Sequence, residues 1–340
     1  MYHVKQSIQY IAVDRKIKVW YHKYMIQTSK HLCYNTSGPC RGRFYFQGVF
    51  MDIKARKPWL SFAAQCQILK DRGLDISDNE FMEKLLSTYN CYYITGYLHS
   101  YKDANGKYRK GTCIDEINQA IRADRELHML FSYVIEIIER KLKSVMAYYI
   151  GKNHGNDDLA YLVHDWNYNS TDKRIDEFLT YFRKSVENNK ELPFVNHYLY
   201  KYGGVFPIWV AVEVFTLGNL ENLYSILDKK TSREIADEFS VKASVLMQWI
   251  KCLRVFRNTL AHNGRLHNFT FRLHPKQFGC WEIEQTNMVF DYIYMCKFLF
   301  PEKDEWEKVL VRSLESVFIR NQVKLSSYGF PHNWKDLLIY

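Results

Sequence analysis

Residues 127–149 read Leu-His-Met-Leu-Phe-Ser-Tyr-Val-Ile-Glu-Ile-Ile-Glu-Arg-Lys-Leu-Lys-Ser-Val-Met-Ala-Tyr-Tyr. Leu127, Leu130, Phe131, Val134, Ile137, Ile138, Leu142, Val145 and Tyr149 recur there at steps of three and four, the period of one buried helix face. At 3.6 residues per turn that face continues for roughly six turns. Thr112-Cys113-Ile114-Asp115 offers an N-terminal cap, and a break is expected near Ala123. A helix this long needs partners along its apolar stripe.

The flanking sequence supplies them. Upstream, Leu60-Ser61 precedes a helical run to Arg72, closed by Gly73 as a C-terminal stop. Ser77-Asp78-Asn79-Glu80 reads as a capping box opening a second helix, with Phe81, Leu85 and Leu86 facing inward. Downstream, helices are expected over about 172–188, 207–227 (Pro207 in the first turn), 231–238, 242–263 and 285–298, then from 301 to 318. Short strands fit 269–273 and 280–284. With only 15 Gly and 7 Pro in 340 residues, breakers are too few for a turn-rich β-sandwich. The expected fold class is all-α.

Composition narrows the class of function. The net charge of +10 would suggest nucleic acid or an anionic membrane. Residues 1–50, however, hold eight Lys and Arg (Lys5, Arg15, Lys16, Lys18, Lys23, Lys30, Arg41, Arg43) against one acid, Asp14. Residues 51–340 are only mildly basic, so charge alone nominates no partner. The first segment reads as a basic extension apart from the fold. Tyr45-Phe46-Gln47-Gly48 is similar to the tail of a tag-cleavage site, and Met51 to a conventional start. The segment is either an upstream translated or cloning remnant or a basic arm for nucleic acid. Residues 51–340 form the expected domain.

Eight scattered cysteines (33, 40, 66, 91, 113, 252, 280, 296) without a CxxC pair imply reduced thiols in a reducing compartment. Apolar runs such as 206–217 fall short of the ~20 residues of a membrane span. The first residues are too polar for a secretory signal. A soluble, cytoplasmic protein is expected.

Chemistry gathers in Leu253-Arg254-Val255-Phe256-Arg257-Asn258-Thr259-Leu260-Ala261-His262-Asn263-Gly264-Arg265. Leu246, Trp249, Ile250, Leu253, Phe256 and Leu260 make one apolar stripe of a helix expected to end at Gly264. Arg254, Asn258, His262 and Arg265 fall within roughly 100° of one another on the remaining surface, with Arg257 one step round. The plain alternative is a helix-end histidine favoured by the helix dipole. Yet Arg257 is the only arginine followed by a histidine five residues later. No zinc spacing, HExxH, phosphate-cradling loop or Ser or Cys nucleophile motif is present. Metal and cofactor are expected to be none.

Arg257-Asn258-Thr259-Leu260-Ala261-His262 resembles the R-x4-6-H signature of HEPN-fold ribonucleases, and more narrowly the Abi-like abortive-infection proteins of the D/F type. Pro58-Trp59-Leu60-Ser61-Phe62, Asn90-Cys91-Tyr92-Tyr93-Ile94-Thr95-Gly96-Tyr97, Ile138-Glu139-Arg140-Lys141-Leu142-Lys143, Pro207-Ile208-Trp209 with Glu213, and Gly329-Phe330-Pro331 with Trp334 are similar to other segments of that family, in order. Lys143 stands where the family pattern has Arg, offering a point charge instead of a planar fork.

The resemblance implies a HEPN-type helical bundle with flanking helices, acting as a homodimer whose two motifs face each other. It also implies an RNA partner and, by analogy, a regulatory RNA or antitoxin. Arg257, His262 and Asn258 are then the candidate catalytic residues, with Arg254, Arg265 and Lys143 on the RNA. Glu139 could face the same site, or simply pair with Lys143 within the helix. The tyrosines of 92–101, 148–149 and 198–202 read as base-stacking groups or as core. A non-catalytic RNA-binding or protein-binding module is the rival reading.

Overall fold

In the computed structural model, one helix of 40 residues, Ile114–Asn153, runs through the centre of the fold. Residues 43–46, 49–52, 58–154, 161, 172–279 and 281–340 are described. By its contacts the chain divides into two units, Met1–Ser61 and Phe62–Tyr340. In the first, strand β1 (Arg43–Phe46) pairs antiparallel with β2 (Val49–Asp52), Arg43 opposite Asp52 and Phe46 opposite Val49. This hairpin, not expected from the sequence, crosses the boundary placed at 50/51 by composition. Its aromatic and β-branched residues have high strand propensity. Residues 1–42 of the basic extension lie outside the described residues.

The second unit is all-α. Helices α1 (Phe62–Asp71), α2 (Asn79–Tyr89) and α3 (Cys91–Tyr97) precede α4, the long helix Ile114–Asn153. Then come α5 (Asp172–Asn188), α6 (Pro193–Lys201), α7 (Ile208–Ala211), α8 (Leu217–Ile226), α9 (Lys229–Asp237) and α10 (Ala243–Ala261). After α11 (Val289–Leu299) and α12 (Lys303–Glu305), a π-turn at Trp306–Val311 leads into α13 (Arg312–Asn321), and α14 (Trp334–Leu338) follows.

Helix α4 joins two hydrophobic clusters. Ile114, Ile117, Ala120 and Ile121 pack with Leu69, Met82, Leu86, Ile94 and Tyr97 of α1–α3. From Ala123 onward its apolar residues join the larger cluster with Ile175, Leu220, Trp249, Phe256, Tyr292 and Phe318. Helix α10 lies antiparallel to α4: Phe256 meets Phe131 at 5.7 Å between ring centroids, and Gly264 beyond its end reaches back to His128.

Several expectations change. Helix α4 is unbroken at Ala123, which is fully buried and leaves no reason for a kink. Asp78, not Ser77, caps α2, accepting from Phe81 N at 3.1 Å, so the Ser77–Glu80 box does not form. The run at 207–227 is divided, because Thr216 and Asn219 form a capping box that restarts the chain as α8. Residues 269–273 and 281–284 form no strand; Phe271 N instead donates to Asn287 O at 2.8 Å as an isolated loop contact. Pro193 opens α6, which the sequence reading passed over.

Asp124 is fully buried where the two clusters meet. Its carboxylate accepts from Tyr97 Oη (2.8 Å), Tyr328 Oη (2.9 Å), Leu266 N (2.7 Å) and His267 N (3.2 Å). Burial pushes its carboxyl above the ordinary range, and these four donors oppose that shift. Asp124→Ala leaves the buried N–H groups of Leu266 and His267 without their acceptor, and Tyr97 and Tyr328 with only the longer contacts to Tyr93 Oη and Ala120 O, and is expected to cost more than about 3 kcal/mol. Thermal unfolding of the variant checks this; an unchanged melting temperature would refute the assignment.

Candidate nucleic-acid interface

Helix α4 carries a second stripe beside its apolar one: Ser132, Glu136, Glu139, Arg140, Lys143, Ala147, Gly151, with Tyr148 and Lys152 alongside. These residues floor a groove of about 930 Å³ that spans some six turns of the helix, roughly 30 Å. Arg257, Leu260 and Ala261 of α10 contribute to its lining, as do Trp209 of α7 and Val212 and Glu213 of the following 3-10 turn. Pro207 starts that turn of chain, and its buried neighbours Ile208 and Ala211 dock on the core, leaving Trp209 outward.

The cations in the groove differ in how they are held. Lys143 pairs with Glu139 at 3.1 Å, both side chains being mostly covered (16% and 21% exposed). The Glu lies N-terminal to the Lys, the favourable order on a helix. Arg140 pairs with Glu136 at 3.1 Å and Lys152 with Glu234 at 3.4 Å. Arg257 makes no ion pair among the described residues; its Nη1 donates to Asn258 Oδ1 at a long 3.4 Å. It is exposed and lines the groove.

His262 is the exposed C-terminal cap of α10, its N donating to Asn258 O at 3.1 Å. The helix therefore ends at Ala261, short of the expected Gly264. Asn263 takes the left-handed position (φ 52°). Gly264 N donates to Thr259 O at 2.7 Å and Asn263 N to Leu260 O at 3.1 Å, the paired closing bonds of a Schellman turn. Glycine is needed at 264 for space, since a Cβ there would lie 2.7 Å from Thr259 Cγ2. His128 Nε2 donates to Gly264 O at 2.8 Å, fixing the turn that presents His262.

The proposed one-face array of Arg254, Asn258, His262 and Arg265 is not what the structure builds. Arg254 bonds Glu221 of α8 and lines a separate cavity with Tyr181, Lys184 and Asn219. Arg265 lies beyond the helix end, where the turn redirects it to the carbonyl of Gly96. Burial pushes its guanidinium below the ordinary range. The groove thus brings together Arg257, Lys143 and Glu139, with Asn258 and His262 following on the same helix end. Tyr148, read from the sequence as a base-stacking or core ring, and Trp209 and Glu213, read only as part of a family-similar segment, complete its lining; the polar stripe of α4 at three- and four-residue spacing was the signal that could have placed Tyr148 there.

Among the described residues, no three His, Cys, Asp or Glu side chains gather as a metal site requires, and no helix is long and apolar enough to cross a membrane. Cys66, Cys91, Cys113, Cys252 and Cys296 are free thiols. The family model described as Abi-like protein matches residues 84–268, which include every groove-lining residue and His262. No curated protein and no solved structure matches the chain.

Next to Arg265, the His267 ring is buried, lying near-parallel to Tyr97 at 6.2 Å and Tyr101 at 6.3 Å. Burial, with the Arg265 charge beside it, pushes His267 down to about 4. The unfolded chain then takes up this proton near pH 6.5 and the folded chain only near 4. Stability present above pH 6.5 is therefore lost as pH falls toward 4, by about 3 kcal/mol from this group. Melting curves between pH 7 and 4 should show the loss, and His267→Phe should flatten it; an identical slope in the variant would sink the assignment.

Proposed function

This chain belongs to the Abi-like protein family, and from that premise we propose that it is an endoribonuclease of the HEPN type, of the D/F abortive-infection kind, serving phage defence. The observation that carries the reading is Arg257: a groove-lining arginine with no ion pair among the described residues, one and a half turns before an exposed helix-end histidine.

RNA supplies its own nucleophile, the 2′-OH beside the scissile phosphate. Cleavage then needs a base for that proton, a cation for the crowded phosphorane and an acid for the departing 5′-oxygen. Histidine titrates near neutrality and serves as base or acid. Arginine stays charged and can meet two phosphate oxygens at once. Asn258, within reach of the Arg257 guanidinium, limits its swing. Lys143, paired with Glu139, would meet a phosphate on the α4 side of the groove by sharing its ammonium with that carboxylate.

The reaction needs no cofactor and yields a 2′,3′-cyclic phosphate and a 5′-OH. One Arg and one His per chain are sparse for both proton transfers, so a homodimer with two facing motifs is the natural assembly. A soluble cytoplasmic setting suits an RNA substrate. Arg254 and Arg265, spent on Glu221 and Gly96 O, would act on RNA only by leaving those partners.

Incubating the full chain with mixed RNA in excess EDTA, then mapping product ends, tests this. Wild type should leave cyclic-phosphate ends, and His262→Ala should cut about 10²–10⁴-fold more slowly while RNA binding persists. Arg257→Ala should weaken both cleavage and binding. RNA that is retarded on a gel yet stays full length would favour the rival, a non-catalytic binding module.

A further inference from the structure

The groove holds two aromatic rings that packing leaves more than half exposed. Trp209 is 53% exposed and Tyr148 64% exposed, and both line the same groove as Arg257 and Lys143. Tyr148 lies five residues beyond Lys143 on α4, a rise of about 7 Å along the groove floor. Its only ring partner among the described residues is its neighbour Tyr149, in a T-shaped contact at 5.1 Å, and most of its surface stays exposed. Trp209 has no ring partner among the described residues. Other aromatics of comparable size, Trp249 and Trp306, are buried and their indole N–H groups bond carbonyls of Lys276 and Leu338.

We propose that Trp209 and Tyr148 stack unpaired bases, making the groove a site for single-stranded RNA whose phosphates meet Arg257 and Lys143. This rests on the groove being the RNA site proposed above. An exposed aromatic ring gains nothing from water, whereas every base offers a π-face, so alternating cations and rings suit a single strand of mixed sequence. Acidic Glu213 and Glu139 in the same lining disfavour a dense row of phosphates. A duplex, with bases stacked inside and phosphates outside, offers the rings nothing. The two aromatics are binding and specificity residues, separate from the proton transfers assigned to His262.

The test uses the full chain and a short fluorescein-labelled 2′-O-methyl RNA, whose capped 2′-oxygen cannot act as nucleophile, so binding is read apart from cleavage. Fluorescence anisotropy is measured with the single strand, the same strand carrying abasic sites, and its duplex. Wild type should prefer the intact single strand. Trp209→Ala and Tyr148→Ala should each weaken it by about 5- to 100-fold, with circular dichroism unchanged, and Trp209→Phe should restore most of the affinity. Equal binding of the abasic strand, tighter binding of duplex, unaltered affinity of both Ala variants, or no binding by wild type would each overturn the proposal. Ring-dependent binding without cleavage of unmodified RNA would overturn the nuclease reading alone.

Discussion

The fold turns on one buried carboxylate. Asp124 receives hydrogen bonds from α3, from the segment after α10 and from Tyr328 near the C-terminal end. Each donor belongs to a part of the chain distant in sequence, and without Asp124 the buried N–H groups of Leu266 and His267 would be left unpaired. Its position on α4 is also where the helix passes from one hydrophobic cluster to the other. A single side chain thus sets the register between α1–α3 and the larger bundle, and holds the turn that follows the Arg257–His262 segment.

That turn explains why the candidate site has the residues it has. With Leu266 and His267 anchored on Asp124 and Gly264 on His128, one turn further along α4, the segment after α10 is held at two points of one helix face. His262 is left on the surface as the cap, while Arg265 is drawn inward. The antiparallel contact between α10 and α4, centred on Phe131 and Phe256, then sets Arg257 beside the polar stripe of α4. Close packing lies behind the groove, while at its lining Arg257 makes no ion pair among the described residues and Lys143, Arg140 and Lys152 are paired with carboxylates.

Much of this was legible along the chain. The apolar spacing of 127–149 and of 246–260 follows from the 3.6-residue period, and the described cores of α4 and α10 use those residues. Local signals failed where a neighbour could do the same work. Asp78 outcompetes Ser77 as a cap because its side chain reaches Phe81 N. The helix ends before Gly264 because Asn263 takes the left-handed position, which asparagine tolerates, and glycine one step later supplies room beside Thr259.

By itself, the sequence determined the all-α class, the stripe of each long helix and the placing of Arg257 and His262 near one helix end, since these depend only on spacing along a helix. Tertiary structure alone decided which charges are spent and which are free. Arg254 and Arg257 are three residues apart and chemically identical, yet α8 brings Glu221 to the first, while no carboxylate among the described residues pairs with the second. Lys143, Arg257 and Trp209 line one groove only because α4, α7 and α10 pack together. Such proximity arises from burying apolar faces across long separations in sequence, and no local pattern encodes it.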